Sequence, residues 1–464
     1  MGADFAIAPL TLLQACTDSI ADVYTLPAGL PPYDATHRGD VVRCALDQRM
    51  GSDKLNAQAT ALGYTGPALP SGATIYRITY RTERIAVNGA PAPEGLSSAL
   101  LLVPSVPHKT GALAVYSHPS IGVADGCALT RVSLSAASDG SDVVRAPILA
   151  MAGYGWTVIA PDQAGFGFNA PPGWSVAEDE AHSLLDATRA AKGLLPAAML
   201  PDPVVMVGHS QGGHGVLSAH SFAATYGMSG HLVGVAGMAP LWISALAWGA
   251  GLSPLAQFNT TDNAYFIEYI LDYFYSHGEL YDGPGGGVAM LIAAKRAQAK
   301  TLVTTTCLDD FAMQLPSLGH TPADFFDPAF VSSLGQCGVG LTDCSDSPAS
   351  IWLPRFLADR PVLAPNGAPV VLWYGGMDTT IAPGYAQCEL DKLTRDRVGP
   401  PVATYPLTVC GDPGSIHTEI ARRNITWVNQ WIGARATGDS EPAACAPPDQ
   451  PDGGTACSTP PANQ

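Results

Sequence analysis

The chain has 464 residues, 47% of them hydrophobic, and is long enough to bury a substantial core. Its formal net charge of −17 argues against nucleic acid or an anionic membrane surface as a partner, because both attract basic proteins. The ten cysteines show no zinc-site spacing, so we expect neither a metal nor another cofactor, and their even number favours disulfides in an oxidising compartment.

Apolar runs and turn residues predict a mostly parallel sheet flanked by helices, an α/β architecture. Residues 1–72 carry little periodicity and are expected to pack on the core as an extension. Two antiparallel strands at 77–87 and 97–103 open the sheet around a turn at Asn88-Gly89. Alternation then indicates parallel strands joined by crossover helices. The strands are expected at 112–117, 156–160, 203–207 and 231–238, and the helices at 142–152, 178–194 and 211–225.

The alternation stops at Ala239 and resumes with an apolar run at 369–374. This interval of about 130 residues is far longer than an ordinary connection. We therefore expect a helical cap or lid at 240–366, inserted after the sixth strand, with an aromatic helical stretch at 264–275. Three aromatic residues are candidates to line a substrate pocket, with packing inside the cap's own core as the alternative: Phe266, Tyr269 and Phe274.

Composition indicates where the core of the protein ends and where a carboxyl-terminal tail begins. The core is expected at 73–239 and 367–434, and residues 435–464, rich in proline, glycine and small polar residues, are expected to form a tail. The uncharged run at 232–258 is long enough to cross a bilayer. Prolines interrupt that run, however, so it is assigned to the core and the cap rather than to a membrane span.

The most informative motif is the pentapeptide Gly208-His209-Ser210-Gln211-Gly212. It follows an apolar strand and precedes a predicted helix, which is the setting of a nucleophilic serine on a tight strand-to-helix turn. A strained turn of this kind leaves little room for side chains two residues away, and both of those positions are glycine. The alternative is an ordinary serine that caps the helix.

Two later residues could activate Ser210, because a hydroxyl needs a base to take its proton and the base needs an acid to orient it. Asp378 follows the apolar run at 369–374 and a Gly-Gly-Met turn. His417 lies in a Gly/Pro loop before the predicted helix at 419–431. We therefore expect Asp378 to be the acid and His417 to be the base.

Each assignment has a competing interpretation. Asp378 could be a solvated turn acid or a helix cap. Among the eleven histidines, His118, His209 and His214 compete with His417 for the role of base. His209 lies inside the motif and His214 one turn into the next helix, so both are interpreted as packed or hydrogen-bonded structural histidines.

Serine, aspartate and histidine in this order, each on a loop after a predicted strand, resemble the α/β-hydrolase family. More narrowly, the chain is similar to secretory lipases of the lipase A type, with further matching runs at 153–167 and 375–383. The resemblance covers 73–434, apart from the detail of 240–366. It implies an α/β-hydrolase fold and a Ser-His-Asp triad acting through an acyl-enzyme.

In this fold two backbone N–H groups stabilise the oxyanion, one of them from the residue after the nucleophile. That residue is Gln211. The second donor should lie in the loop after the third strand, where related esterases often carry a His-Gly pair. This chain has His118-Pro119 instead, and proline has no N–H, so the expected donor is Ser120, with Ile121 as the alternative.

We therefore expect a serine hydrolase that cleaves carboxylic esters, whether small molecules, lipids or polymers, without stable membrane insertion. A serine peptidase or amidase, an acyltransferase on the same fold, and a non-catalytic binding protein remain alternatives. The amino terminus lacks the basic start and apolar core of a signal peptide. Because the cysteines favour an oxidising compartment, a removed leader and a secreted or periplasmic location are expected, with a leaderless protein as the alternative.

The cysteine positions suggest how the chain is cross-linked. A Cys388–Cys410 pair would brace the acid and base loops, and Cys127–Cys307 would tie the oxyanion-side loop to the cap. The remaining expected pairs are the local ones: Cys16–Cys44, Cys337–Cys344 and Cys445–Cys457.

Overall fold

A nine-stranded sheet lies at the centre of the described part of the chain, with the strand order β1-β2-β3-β5-β4-β6-β7-β8-β9. The strands are β1 Val41–Met50, β2 Ala73–Glu83, β3 Glu94–Pro104, β4 Leu113–Ser117, β5 Thr157–Pro161, β6 Pro203–His209, β7 His231–Met238, β8 Val370–Gly375 and β9 Leu407–Asp412. The computed structural model describes residues 16–132, 134, 142–195, 202–243, 248, 252, 261–338, 345–363, 367–381 and 407–448.

Helices cover both faces of this sheet and fill the long connection between β7 and β8. The helices are α1 Ser52–Ala61, α2 Asp142–Tyr154, α3 Ala177–Leu194, α4 Gln211–Tyr226, α5 Thr261–Tyr281, α6 Arg296–Thr305, α7 Leu308–Gln314, α8 Pro328–Gly338, α9 Trp352–Ala358 and α10 Ile420–Thr437. The first three strands and the β3–β5 pair are antiparallel, and the pairs from β4 to β9 are parallel. The predicted mostly parallel sheet flanked by helices is therefore confirmed.

The amino-terminal extension contributes a strand that the sequence did not reveal. β1 pairs antiparallel with β2 along the edge of the sheet. The register shifts between Val41 and Arg43 and again between Leu46 and Gln48, so the strand lacks the regular alternation by which a half-buried strand is recognised. Because β1 is added at the start, the long insertion follows the seventh strand of this sheet and not the sixth.

The central strands bury side chains on both faces, as parallel strands covered by helices do. In β6, Val204 and Met206 pack into one hydrophobic cluster with α3 and α4. Val205 and Val207 point to the opposite face and join the cluster that contains α2 and α10. Successive side chains alternate between the faces of a strand, so every residue of β6 from 204 to 207 is buried in one core or the other.

The insertion between β7 and β8 is helical, and α5 is its longest described element. The predicted aromatic helix at 264–275 is confirmed as part of α5. Residues 232–243 of the uncharged run include β7, while most of 244–260 lies outside the described residues. Within the described ranges, no helix has both the length and the apolar character needed to span a membrane.

Three disulfides are present among the described cysteines. Cys16–Cys44 and Cys127–Cys307 form as predicted. Cys410 pairs with Cys445, so the predicted Cys388–Cys410 and Cys445–Cys457 pairs are wrong. A Cys388–Cys410 bond would have linked the Asp378 and His417 loops, whereas the carboxyl-terminal tail instead folds back onto β9, with Gly411 N donating to Ala446 O at 2.7 Å. Cys388 and Cys457 lie outside the described residues, as does Cys344 of the remaining predicted pair.

Two acidic side chains are buried inside the insertion. Glu268 and Asp272, one helical turn apart on α5, are 0% and 1% exposed, and no described residue donates a hydrogen bond to either carboxyl group. Burial raises the pKa of both groups well above the usual range of a carboxyl, and at Glu268 the neighbouring Asp272 adds to the effect. A buried carboxyl without a partner is much cheaper to keep neutral than ionised.

These raised pKa values predict a pH-dependent stability. Above the pKa of the unfolded chain, near 4, the folded protein keeps protons that the unfolded protein releases, so folding stability falls as the pH rises towards the folded pKa. The double substitution Glu268→Gln and Asp272→Asn removes both ionisable groups and therefore removes this loss of folding stability at higher pH. The advantage of the double variant over the wild type should grow with pH, by at most about 1.4 kcal/mol per pH unit for each group.

Urea unfolding at a series of pH values from about 4 to 8 measures that difference. The exposed Asp310→Asn in α7 is the matched control and should leave the pH dependence unchanged. A constant difference between double variant and wild type across this range would contradict the prediction.

Candidate functional site

Ser210 lies on the turn between β6 and α4, with the backbone angles φ 54° and ψ −120°. A positive φ is costly for a residue with a side chain, by about 1–3 kcal/mol, and persists only where the surroundings enforce it. Here the serine N–H donates to Met238 O of β7 at 2.9 Å, and the serine carbonyl accepts from the N–H groups of His214 and Leu241. The neighbouring strand and the helix therefore hold the serine in this conformation.

The glycines of the motif are required by close backbone contacts. A methyl group on Gly208 would lie 2.0 Å from the carbonyl oxygen of Gly212, and one on Gly212 would lie 2.0 Å from the carbonyl oxygen of Ser117. Neither position has room for a side chain. Backbone atoms on both sides of Ser210 therefore exclude side chains at these two positions, as expected from the sequence.

The three predicted triad residues lie together. Nε2 of His417 is 2.9 Å from Oγ of Ser210, and Nδ1 of His417 is 2.7 Å from Oδ2 of Asp378. The second carboxylate oxygen of Asp378 accepts from the backbone N–H groups of Thr380 and Ile381. All three side chains are buried. This is the hydrogen-bonded chain that a serine nucleophile, its base and an orienting acid require.

Backbone hydrogen bonds join the loops that carry Asp378 and His417. Gly376 N donates to Asp412 O at 2.9 Å, and Met377 N donates to Ser415 O at 3.0 Å. β8 and β9, which precede the two loops, pair in parallel along six residues. Main-chain hydrogen bonds therefore brace the Asp378 loop against the His417 loop, the role that was expected of a Cys388–Cys410 bond.

His209, inside the motif, is hydrogen-bonded to the backbone of His417. Its Nε2 donates to the backbone carbonyl of His417 at 2.9 Å, and the two rings lie 4.9 Å apart. Burial, with a contribution from His417, lowers the pKa of His209 well below the usual value. A neutral His209 places no fixed charge beside the imidazolium that would form on His417. The interpretation of His209 as a hydrogen-bonded histidine agrees with this geometry.

The predicted oxyanion donors lie where β4 ends against the start of α4. The backbone N–H of Gln211 belongs to the first turn of α4, where N–H groups have no partner within the helix. A methyl group on Gly212 would be 2.6 Å from the carbonyl oxygen of His118, so the loop after β4 touches this turn. Ser120 is buried in that loop, and Leu308 of α7 donates to the carbonyl of Ile121.

Two polar residues near the site, Glu180 and Asp359, were not predicted from the sequence. Glu180 in the first turn of α3 accepts a 2.9 Å hydrogen bond from the side-chain amide of Gln211, and its other oxygen is 2.7 Å from Nδ1 of His214. Nε2 of His214 is 2.6 Å from the carbonyl oxygen of Asp359. Acidic residues are common in a first helical turn for their effect on the helix dipole, so Glu180 carried no distinguishing signal.

The three pocket candidates differ in their surroundings. Phe274 is fully buried among aromatic residues of the insertion, with its ring 4.6 Å from that of Trp352. This packing favours the alternative interpretation of Phe274 as core. Phe266 and Tyr269 are half-buried and lie against Trp248 and Trp174, respectively. In the described part of the chain, no three His, Cys, Asp or Glu side chains are arranged to hold a metal ion.

Solved structures of two enzymes resemble this one at low sequence identity. The rice cell wall degrading esterase LipA from Xanthomonas oryzae is 19% identical, with a TM-score of 0.60, covering 85% of this chain and 96% of that one. Lipase A from Candida antarctica in its closed state is 16% identical, with a TM-score of 0.61, covering 97% and 93% of the two chains. At such identities the likeness shows the fold alone.

The amino-acid sequence of this chain was also compared with curated proteins and with known families. No protein of curated function matches it. The alpha/beta hydrolase family matches residues 137–417, a range that includes Ser210, Asp378 and His417 and spans more than half of the chain. The chain belongs to the alpha/beta hydrolase family.

Proposed function

We propose that this protein is a serine hydrolase of carboxylic esters. The observation that carries the proposal is the continuous chain of hydrogen bonds from Asp378 through His417 to Ser210, which ends on a serine with φ 54° at the start of a helix. Geometry of this kind serves to activate a hydroxyl that is otherwise a weak nucleophile. Membership of the family and the fold of the two similar structures agree with the proposal.

In the proposed reaction, Nε2 of His417 takes the proton of Ser210 as Oγ attacks the ester carbonyl. Nδ1–H of His417 donates to Asp378, which keeps the ring in the required tautomer and stabilises the imidazolium. The imidazolium then returns the proton to the leaving alcohol. Water, activated by the same histidine, hydrolyses the acyl-enzyme and frees Ser210.

We propose that the backbone N–H groups of Gln211 and Ser120 donate hydrogen bonds to the oxyanion of the reaction intermediate. The positive end of the α4 dipole points at the same place, and the first turn of α4 carries no acidic residue that would oppose it. Fixed donors in a site sheltered from water stabilise the negative charge that develops in the transition state, typically by a factor of about 10²–10³ for each donor.

We assign the helical insertion at 240–366 to a cap that decides which esters reach Ser210. Cys127–Cys307 and the hydrogen bond from Leu308 N to Ile121 O attach the insertion to the loop that carries Ser120. The similar structures are described as a cell wall degrading esterase and a lipase, which makes polymeric and lipid esters the first substrates to test. The disulfides support a secreted or periplasmic location.

Ser210→Ala tests the nucleophile. The substitution should lower kcat for a p-nitrophenyl ester by about a thousandfold or more, because it removes the hydroxyl that lies 2.9 Å from Nε2 of His417. It should also abolish labelling by a fluorophosphonate probe. The control is Ser221→Ala on the same helix, where the serine hydroxyl is hydrogen-bonded to the backbone of Leu217 and Val362, and this variant should keep wild-type kcat. A folded Ser210→Ala protein with substantial activity would show that Ser210 is not the nucleophile.

The proposed pocket residues are tested by measuring kcat/KM over a panel of esters with acyl chains of roughly two to sixteen carbons. Each added methylene buries more apolar area of the substrate, so the preferred chain length reports the size of the acyl pocket. Phe266→Ala and Tyr269→Ala should move the preferred length. Phe274→Ala should instead lower stability by about 3–5 kcal/mol and leave the profile unchanged, since its ring packs inside the insertion. Thermal melts beside the panel separate the outcomes, and an unchanged profile in Phe266→Ala and Tyr269→Ala would remove both from the pocket.

A further inference from the structure

A buried polar network runs from the proposed oxyanion turn into the insertion. We call it the bridge network, and it consists of Gln211, Glu180, His214, Asp359, Tyr273 and His277, all buried. It begins at Glu180, whose Oε1 accepts from the side-chain amide of Gln211 and from the backbone N–H of Ser175, each at 2.9 Å. The other oxygen, Oε2, faces Nδ1 of His214 at 2.7 Å.

His214 is held between two acceptors. Its Nδ1 faces the Glu180 carboxylate, and its Nε2 faces the backbone carbonyl of Asp359 at 2.6 Å. A neutral imidazole has only one N–H, so two acceptors call for the doubly protonated ring. Burial alone lowers the pKa of His214, but the charge and hydrogen bond of Glu180 outweigh it and the net shift is upward. His214 and Glu180 therefore form a buried ion pair.

Asp359 continues the network into α5. Its Oδ2 accepts from the Tyr273 hydroxyl at 2.8 Å and faces Nε2 of His277 at 2.6 Å, while Oδ1 accepts from the backbone N–H of Ala177. Nδ1 of His277 faces the carbonyl of Tyr273. This ring too lies between two acceptors, and the contacts of Asp359 with His277 and Ala177 tie α5 to the start of α3.

The network joins the two parts of the proposed site. At one end the Gln211 residue carries the backbone N–H assigned to the oxyanion. At the other end α5 carries the pocket candidates Phe266 and Tyr269. Buried ion pairs contribute little to stability compared with apolar packing, but they demand a fixed geometry, because a displaced partner leaves a charge without compensation.

We propose that Glu180 and Asp359 are positioning residues that couple α5 of the insertion to the oxyanion turn at Gln211. The inference rests on the proposed esterase function. A substrate that fixes α5 thereby also fixes Gln211, and loosening either end of the bridge network displaces the oxyanion donor. The expected signature is a loss in kcat with little change in KM, because the oxyanion forms only after the substrate has bound.

A double-mutant cycle tests this coupling. Gln211→Ala keeps the backbone N–H and cuts the side-chain link to Glu180, and Tyr273→Phe removes only the hydroxyl that contacts Asp359. We expect kcat to fall about tenfold in Gln211→Ala and about threefold or more in Tyr273→Phe, with KM within about twofold in both. In the double variant kcat should equal that of Gln211→Ala alone, because the network is already cut.

The matched control is Tyr265→Phe, which removes a hydroxyl from the same helix at a contact with Asp309 outside the bridge network, and which should keep wild-type kcat. Effects of Gln211→Ala and Tyr273→Phe that multiply in the double variant would overturn the coupling, as would an unchanged kcat in the singles. Failure of the wild-type enzyme to hydrolyse esters or to react with a fluorophosphonate would instead refute the proposed function itself.

Discussion

The backbone conformation of Ser210 is the constraint on which the rest of the site depends. A serine with φ 54° is stable only because neighbouring elements hold it from several sides. β7 accepts its N–H, α4 and residue 241 donate to its carbonyl, and the end of β4 lies against Gly212. These contacts require β4, β6 and β7 to be adjacent and parallel, so the central sheet order is inseparable from the position of the hydroxyl.

The proposed acid and base are positioned by a second pair of strands. β8 and β9 run beside each other, and the loop after β8 donates backbone hydrogen bonds to Asp412 O and Ser415 O, which fixes the position of the Asp378 loop relative to the His417 loop. β9 lies at the end of the sheet, where an unpaired strand would be open to other chains. The tail residues up to 448, joined through Cys445 and Ala446, pack against that strand.

Much of the fold and the proposed triad could be predicted because their signals are local. Each residue of the proposed triad follows an apolar strand. The glycines around Ser210 stand where the turn leaves no room for a side chain, so they mark the turn in the sequence. β1 was missed because two register shifts break its alternation. The partner of Cys410 was missed because the tail has no periodicity that would place Cys445 beside β9. Glu180 and Asp359 act through contacts to distant segments, and one sequence gives no sign of such contacts.

The Cys127–Cys307 bond has a mechanical consequence for the insertion. It joins two positions 180 residues apart, one just after the loop that contains Ser120 and the other at the start of α7. The hydrogen bond from Leu308 to Ile121 lies directly beside it. The insertion is therefore covalently anchored at residue 307 to the segment that follows Ser120, and any displacement that keeps this bond leaves the start of α7 beside that loop.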